Sequence, residues 1–152
     1  MRKVIAAINM TLDGYCDHTA IDPDQEIHDH YTHLLRGGEV ILYGRVTYEL
    51  MEYWKPFVKK PSGERSMDDF ALAIDRIEKV VFSRTLKSVD WHSARLANRS
   101  LEEEVMDLKS QKSGDIFVGS RSLIVQLLKM DLLDELQLCI HPGDRRKRDA
   151  AL

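Results

Sequence analysis

Short apolar runs alternate with helix-patterned segments along this chain, and this alternation limits the folds that it can adopt. Two of the runs are 40–43 and 116–118, each rich in β-branched or aromatic residues and each followed by a glycine, Gly44 or Gly119. A helix-patterned segment begins after each glycine. Strands that are joined by helices pair in parallel and need helices on both faces of the sheet. The sequence therefore predicts an α/β domain with a largely parallel sheet.

The remaining elements follow from the same periodicities. Strands are predicted over residues 3–8, 40–43, 79–82, 116–118 and 136–140, with a short edge strand near 88–91. Helices are predicted over residues 24–35, 47–54, 66–77, 101–110 and 120–129, and loops over 9–21 and 56–65. Gly37 and Gly38 predict a glycine C-cap on the first helix, and Ser66 predicts the N-cap of the third. The spacing places Leu128 on the inner face of the last helix.

Length and composition exclude several classes of protein. A chain of 152 residues with a net charge of −3 predicts one domain, and this charge balance does not indicate nucleic acid as a partner. No apolar run is long enough for a membrane span or a signal peptide, which predicts a cytoplasmic protein without membrane contact. Cys16 and Cys139 are far apart and are expected to be reduced thiols. His28, His30 and His33 have no metal-site spacing, so we expect a solvated helix surface and no metal site.

Three strand-to-helix junctions carry the residues from which a function can be inferred. They are Gly44-Arg45-Val46-Thr47, Ser83-Arg84-Thr85 and Gly119-Ser120-Arg121. Each places an arginine beside small or hydroxyl residues at the end of a predicted strand. Free backbone N–H groups at a helix start, together with a guanidinium, form a good phosphate site. The junctions therefore predict a nucleotide site, although none has the G-x-G-x-x-G pattern of the Rossmann dinucleotide fold.

Short motifs follow one another in a characteristic order along residues 1–142. They are Asn9-x-Thr11-x-Asp13-Gly14, Gly44-Arg45-x-Thr47-Tyr48-Glu49, Lys79-x-Val81-x-Ser83-x-Thr85-Leu86, Gly119-Ser120 and Asp134-Glu135-Leu136. Their order and spacing resemble the dihydrofolate reductase-like family, which includes the reductase domain of bacterial riboflavin biosynthesis. The resemblance implies a three-layer α/β/α domain around a mixed sheet, a homodimer, and NADPH bound across the ends of the strands.

The resemblance also implies roles for individual residues. It assigns to the dinucleotide Gly44, Arg45, Thr47, Ser83, Arg84, Thr85, Gly119 and Ser120. Arg45 and Thr47 would contact phosphates, and Thr47 could also cap its helix. Arg84, between two hydroxyl side chains, would suit the 2′-phosphate dianion that distinguishes NADPH from NADH. Gly119 would let the backbone approach the pyrophosphate closely.

Two interpretations of Asp13 stay open. By the resemblance, Asp13 lies at the rim of the substrate pocket, where a catalytic carboxylate could orient a heterocycle or relay a proton. In the other interpretation Asp13 only forms an Asx-turn with Gly14. Asn9 and Thr11 are expected to contact the substrate or the nicotinamide amide.

The function that the resemblance implies is an NADPH-dependent reductase acting on a small heterocyclic or carbonyl substrate of the pterin or pyrimidine class. The alternative is a non-catalytic dimeric nucleotide-binding module with a vestigial pocket, and a third hypothesis is a pterin or flavin binder without reductase chemistry. Residues 143–152 are predicted to form an atypical basic tail where the resembling proteins have a closing hairpin. We therefore expect a sheet edge that is exposed or completed by another subunit.

Overall fold

The computed structural model describes residues 1–16 and 21–142, which form a six-stranded sheet between layers of helices. The strands are β1 (Val4–Thr11), β2 (Gly38–Gly44), β3 (Glu78–Phe82), β4 (Ala94–Leu96), β5 (Asp115–Val118) and β6 (Glu135–His141). The helices are α1 (Gln25–Gly37), α2 (Arg45–Met51), α3 (Lys55–Lys59), α4 (Arg65–Arg76), α5 (Leu101–Ser110) and α6 (Arg121–Lys129), with a 3-10 turn (Glu52–Trp54) between α2 and α3.

The strand order is β4-β3-β2-β5-β1-β6, and each neighbouring pair is parallel. The three-layer α/β class predicted from the sequence is confirmed, with a parallel arrangement throughout the described residues where a mixed sheet was expected. The predicted basic tail at 143–152 lies outside the described residues. In the described part of the chain no helix is long and apolar enough to cross a bilayer.

Alternate residues of β2 supply two separate cores, because successive side chains of a strand point to opposite faces of the sheet. Val40 and Leu42 pack on one face with residues of α5 and α6. Ile41 and Tyr43 pack on the other face with residues of α1 and α4. All of these β2 side chains are buried, and each contributes about 1.5–3 kcal/mol to folding.

The end of α1 depends on glycine for a reason that the sequence did not reveal. The predicted glycine C-cap is confirmed, since Gly38 caps α1, and its backbone is extended, with φ −107°. A Cβ on Gly38 would lie 2.1 Å from the ring of Phe117 on β5. Glycine is therefore needed at this C-cap because β2 passes close to that ring.

The start of α4 also differs from the prediction. Ser66 is not the N-cap: it lies within the first turn and is buried, and Glu64 occupies the cap position without a side-chain hydrogen bond. Asp68 instead accepts hydrogen bonds from the backbone N–H groups of Ser62 at 2.7 Å and Gly63 at 3.2 Å. A carboxylate inside the first turn thus holds the preceding loop, a longer-range contact that the capping pattern does not encode.

Part of the predicted loop 56–65 is helical, since α3 spans Lys55–Lys59. Pro56 is compatible with this short helix because it lies in the first turn, where its missing N–H has no partner to lose. At the other end of the chain, Leu128 was expected on the inner face of α6, but 52% of its surface is exposed. The helical pattern therefore predicted too wide a buried stripe for α6.

The edge strand forms at Ala94–Leu96, and the prediction near 88–91 is wrong. Trp91 decides the register, because its indole is buried and donates to the Asp75 carboxylate at 2.7 Å. Because Trp91 is fixed in this position, Ser93, two residues later, lies beside β3, and its carbonyl oxygen accepts the N–H of Lys79 at 2.7 Å. Pairing of β4 with β3 follows directly.

Candidate active site

The carboxyl ends of the parallel strands open into a single large cleft. Gly44 at the end of β2, Ser83 after β3 and Gly119 after β5 line it together. Its volume of about 1600 Å³ exceeds the ~300–1,000 Å³ that is usual for one small-molecule site. Ligands of open α/β sheets bind at this edge. The cleft has room for a dinucleotide and a second molecule.

One part of the cleft, the arginine side, is lined by Arg45, Arg84, Arg99 and Arg121. Among the described residues no Asp or Glu lines the cleft. Arg45 pairs with Glu49 at 2.9 Å on the surface, and Arg99 lies 3.5 Å from Asp107. Arg84 and Arg121 form no ion pair with any described residue and are exposed. The charge of this side is therefore strongly positive, as a polyanionic ligand requires.

The first and third junctions are joined by a hydrogen bond. Gly44 donates its backbone N–H to the Oγ of Ser120 at 2.8 Å, and Ser120 is buried. This donor is therefore used inside the protein. A Cβ on Gly119 would lie 2.8 Å from the Tyr43 ring, so glycine is needed there for packing. The structure thus gives Ser120 and Gly119 structural contacts, and their predicted contact with the dinucleotide stays a prediction.

Thr47 lines the cleft from the first turn of α2. The helix is capped by Gly44, and no side chain caps it, so the expected capping role of Thr47 is wrong. In the second junction Ser83 Oγ accepts from the N–H groups of Thr85 at 3.2 Å and Leu86 at 3.0 Å. The predicted helix start at this junction is wrong, because β3 is followed by a turn and β4 and the next helix begins only at Leu101. The turn presents Arg84 at the cleft.

Asp13 and Thr11 meet in the turn that follows β1. The Thr11 hydroxyl is buried and donates to Asp13 Oδ1 at 2.6 Å. Thr11 O accepts the N–H of Gly14, whose φ is +90°. Neither Thr11 nor Asp13 lines the cleft. The geometry supports the turn-forming interpretation of Asp13, and its catalytic role stays a prediction.

Asn9 lies near the end of β1 and lines the cleft, as the predicted substrate contact requires. Its Oδ1 accepts a hydrogen bond from the Tyr31 hydroxyl at 3.0 Å and lies 3.2 Å from His141 Nε2. The amide is therefore held from α1 and β6. Burial raises the pKa of Tyr31, so its hydroxyl keeps its proton and remains a donor.

The other part of the cleft, the aromatic side, is formed by His28, Tyr31, Tyr53, Trp54 and Phe70. The Trp54 and Phe70 rings are 4.7 Å apart, and the His28 ring is 5.5 Å from Trp54. His28 is half-buried, which corrects the expected solvated surface at this position, and burial lowers its pKa. Elsewhere on α1, His30 and His33 are exposed. No group of three metal-ligating side chains occurs within residues 1–16 and 21–142.

The family is decided by comparison with known proteins. The family model of the RibD C-terminal domain matches residues 2–143, almost the whole chain. The chain belongs to the RibD C-terminal domain family. This confirms the resemblance drawn from the motifs, and it supports a reductase-like role in general.

Individual relatives of this RibD C-terminal domain protein agree with the assignment. The chain is 32% identical over 149 residues to the uncharacterized protein YyaP of Bacillus subtilis (strain 168), covering 93% of this chain and 75% of that protein. A solved structure named for riboflavin biosynthesis from Shewanella sp. PV-4 matches with TM-score 0.65 and 18% identity, covering 92% of this chain and 77% of the other. A pyrimidine reductase-like protein from Corynebacterium diphtheriae matches with TM-score 0.64 and 15% identity, covering 94% and 75%. At these identities the two structures show that the fold is shared.

The motifs missed several cleft residues of this family member. Arg99, Tyr31 and Phe70 line the cleft, but none of them belongs to a junction or motif that the sequence singled out. Tyr31 and Phe70 follow the same apolar periodicity as core residues, so no local signal separates the two roles. Trp54 also lines the cleft and lies outside these motifs.

Proposed function

We propose that this protein is an NADPH-dependent reductase that transfers a hydride to a small planar heterocyclic or carbonyl substrate. The observation that carries the proposal is the lining of the cleft: four arginines on one side, aromatic rings on the other, and no carboxylate among the described residues. A dinucleotide with phosphate groups suits the first side, and a planar ring suits the second.

The arginine side matches the chemistry of NADPH. Arg84 stands on a turn whose hydroxyl groups, Ser83 and Thr85, lie 3.4 Å apart, and it has no carboxylate partner among the described residues. A guanidinium without an internal partner suits a dianion such as the 2′-phosphate. Arg45 and Arg121 would serve the pyrophosphate. Arg45 would first have to leave Glu49, at little cost because an exposed ion pair is worth only ~0–1 kcal/mol.

The aromatic side would position the substrate for reduction. NADPH, when bound, supplies the hydride from C4 of its nicotinamide ring. The rings of Trp54 and Tyr53 can hold a planar substrate by stacking and keep water from it, and the buried Phe70 ring packs against Trp54. Asn9 supplies a polar contact at the same side. Substrate orientation and water exclusion are thus the contributions of this chain.

Open sheet edges support the proposed homodimer. Within the described residues β6 pairs only with β1, and Leu136, Leu138 and Ile140 are each 44–46% exposed on one face of it. An apolar stripe on an unpaired edge strand is suited to association with a second copy.

The proposal is tested by titrating NADPH and NADH and following protein fluorescence. We expect NADPH to bind more tightly, and Arg84→Ala to weaken NADPH about 10- to 100-fold while changing NADH little. Arg76→Ala is the matched control, because Arg76 is an exposed arginine of α4 that does not line the cleft. Binding of neither nucleotide below about 1 mM would reject the proposal. Tight NADPH binding without turnover on any substrate would favour the non-catalytic module.

A further inference from the structure

The side-chain amide of Asn9 is oriented before any ligand arrives. Its Oδ1 accepts from the Tyr31 hydroxyl at 3.0 Å and is 3.2 Å from His141 Nε2, which must act as a donor to this oxygen. A carbonyl oxygen has two lone pairs, so these partners use its accepting capacity. None of the groups in residues 1–16 and 21–142 accepts a hydrogen bond from Nδ2. To a ligand in the cleft, Asn9 therefore presents hydrogen-bond donors, the N–H groups of Nδ2, and no acceptor.

Among the described residues, the groups around Asn9 are mostly uncharged, and His141 is the titratable group in contact with it. The cleft residues from β1, α1, the 3-10 turn and α4 include no Lys or Arg within the described chain. Burial lowers the pKa of His28, so its imidazole is neutral at about pH 7. The carboxylates of Asp24, Asp29 and Glu64 act on His28 electrostatically, which places negative charge near this side. An anion on the aromatic side would therefore be unpaired and repelled.

We propose that the aromatic side of the cleft selects an uncharged planar ring with a carbonyl oxygen, that Nδ2 of Asn9 donates to this oxygen, and that phosphate esters are rejected. The proposal rests on the proposed function, because it assigns the arginine side to the dinucleotide. Tyr31 and His141 act as positioning residues, since they occupy Oδ1 and leave Nδ2 without an acceptor among the described residues. The specificity follows from recognition by a hydrogen-bond donor, together with the lack of Lys and Arg among the described residues of the aromatic side.

A matched pair of probes tests the charge preference. Riboflavin and FMN share one planar ring system with two carbonyl oxygens and differ by a single phosphate. Their binding is measured by flavin fluorescence and by calorimetry, with the arginine side filled by saturating NADP⁺. We expect riboflavin to bind at least about tenfold more tightly than FMN under these conditions. Equal or tighter binding of FMN, or binding of neither flavin below about 1 mM, would overturn the inference.

Asn9→Asp tests the donor. The carboxylate keeps an oxygen for Tyr31 and His141 and replaces Nδ2 by a second acceptor, so we expect riboflavin to bind about tenfold or more weakly. Tyr31→Phe keeps the ring but frees Oδ1, and a smaller loss is expected. NADPH affinity and the melting temperature of each variant report folding. Unchanged riboflavin binding in Asn9→Asp would contradict the role of Nδ2.

The two proposals fail separately. Loss of the proposed function would appear as absent NADPH binding, whatever the flavins do. Failure of the substrate inference would appear as a wrong flavin preference in a protein that still binds NADPH.

Discussion

The Oγ of Ser120 accepts a hydrogen bond from the backbone N–H of Gly44 at 2.8 Å, across 76 positions of the chain. The bond joins the ends of β2 and β5 at the base of the cleft. We expect Ser120→Ala to lower the free energy of unfolding by about 1–3 kcal/mol, because a partly buried N–H loses its partner. Urea denaturation measures this. Ser122→Ala is the control, since Ser122 is an exposed cleft residue, and an equal loss in both variants would contradict the prediction.

Gly119 and Gly44 differ in the space around them, although both end a strand. A Cβ at Gly119 would lie 2.8 Å from the Tyr43 ring, whereas the nearest atom to a Cβ at Gly44 is Ser122 Oγ at 3.6 Å. We expect Gly119→Ala to cost about 1–3 kcal/mol of stability through overpacking, and Gly44→Ala clearly less. Thermal unfolding of both variants tests the order, and a larger loss for Gly44→Ala would show that the packing argument is wrong.

Lys79 is fully buried, with Nζ 4.2 Å from the centroid of the Trp91 ring and hydrogen-bonded to Ile77 O and Ser93 Oγ. Burial lowers its pKa from 10.5 to about 8, and Asp75 partly opposes this shift. Above pH 8 the folded protein loses this proton, while the unfolded chain keeps it to about pH 10.5, so Lys79 makes stability rise with pH in that window.

The expected gain from Lys79 across this window is on the order of 3 kcal/mol. Buried tyrosines act in the opposite direction: burial raises the pKa of Tyr43, so the unfolded chain ionises first at high pH. Subtracting the free energy of unfolding of Lys79→Met from that of the natural protein removes the tyrosine contribution, which both proteins share. Urea denaturation at several pH values should show that difference rising, and a flat difference would contradict a depressed pKa for Lys79.

Asp13 has two proposed roles that one pair of variants separates. Asp13→Asn keeps an oxygen for the Thr11 hydroxyl, so we expect it to retain stability, while Asp13→Ala loses this contact and melts earlier. A catalytic Asp13 requires that both variants lose turnover by about 100-fold or more. Melting curves and steady-state rates are measured together. Full turnover in Asp13→Asn would show that Asp13 stabilises the turn and has no catalytic role.

The stripe on β6 provides a test of the proposed dimer. Leu138 is 46% exposed and pairs in register with Ile8 of β1. We expect Leu138→Glu to convert a dimer to a monomer, because a charge in an apolar interface lacks a partner. Sedimentation velocity measures the state, with Leu72→Glu on the exposed face of α4 as control. If the control variant also dissociates, or if the dimer persists in Leu138→Glu, the prediction of an interface on β6 is wrong.

The sequence alone determined those features that depend on neighbours along the chain. It predicted α5 with its bounds, where Ser100 and Glu103 form a reciprocal cap, and the apolar runs that became the central strands. It also placed Arg45, Arg84 and Arg121 at strand ends, since parallel strands bring their carboxyl ends to one edge. These signals are local because helix and turn hydrogen bonds join residues a few positions apart.

Only the tertiary structure decided how those local pieces meet. Tyr31 is 22 positions from Asn9, and His141 is 132 positions from it, yet all three side chains meet at one amide. Likewise the N–H of Gly44 became a structural donor to Ser120, and Gly38 proved necessary because of Phe117. No periodicity records such contacts, because they depend on the order and packing of strands that lie far apart in sequence. The arginine-bearing junctions could therefore be predicted from the sequence. The aromatic side of the cleft and the hydrogen bonds that orient the Asn9 amide could be identified only from the fold.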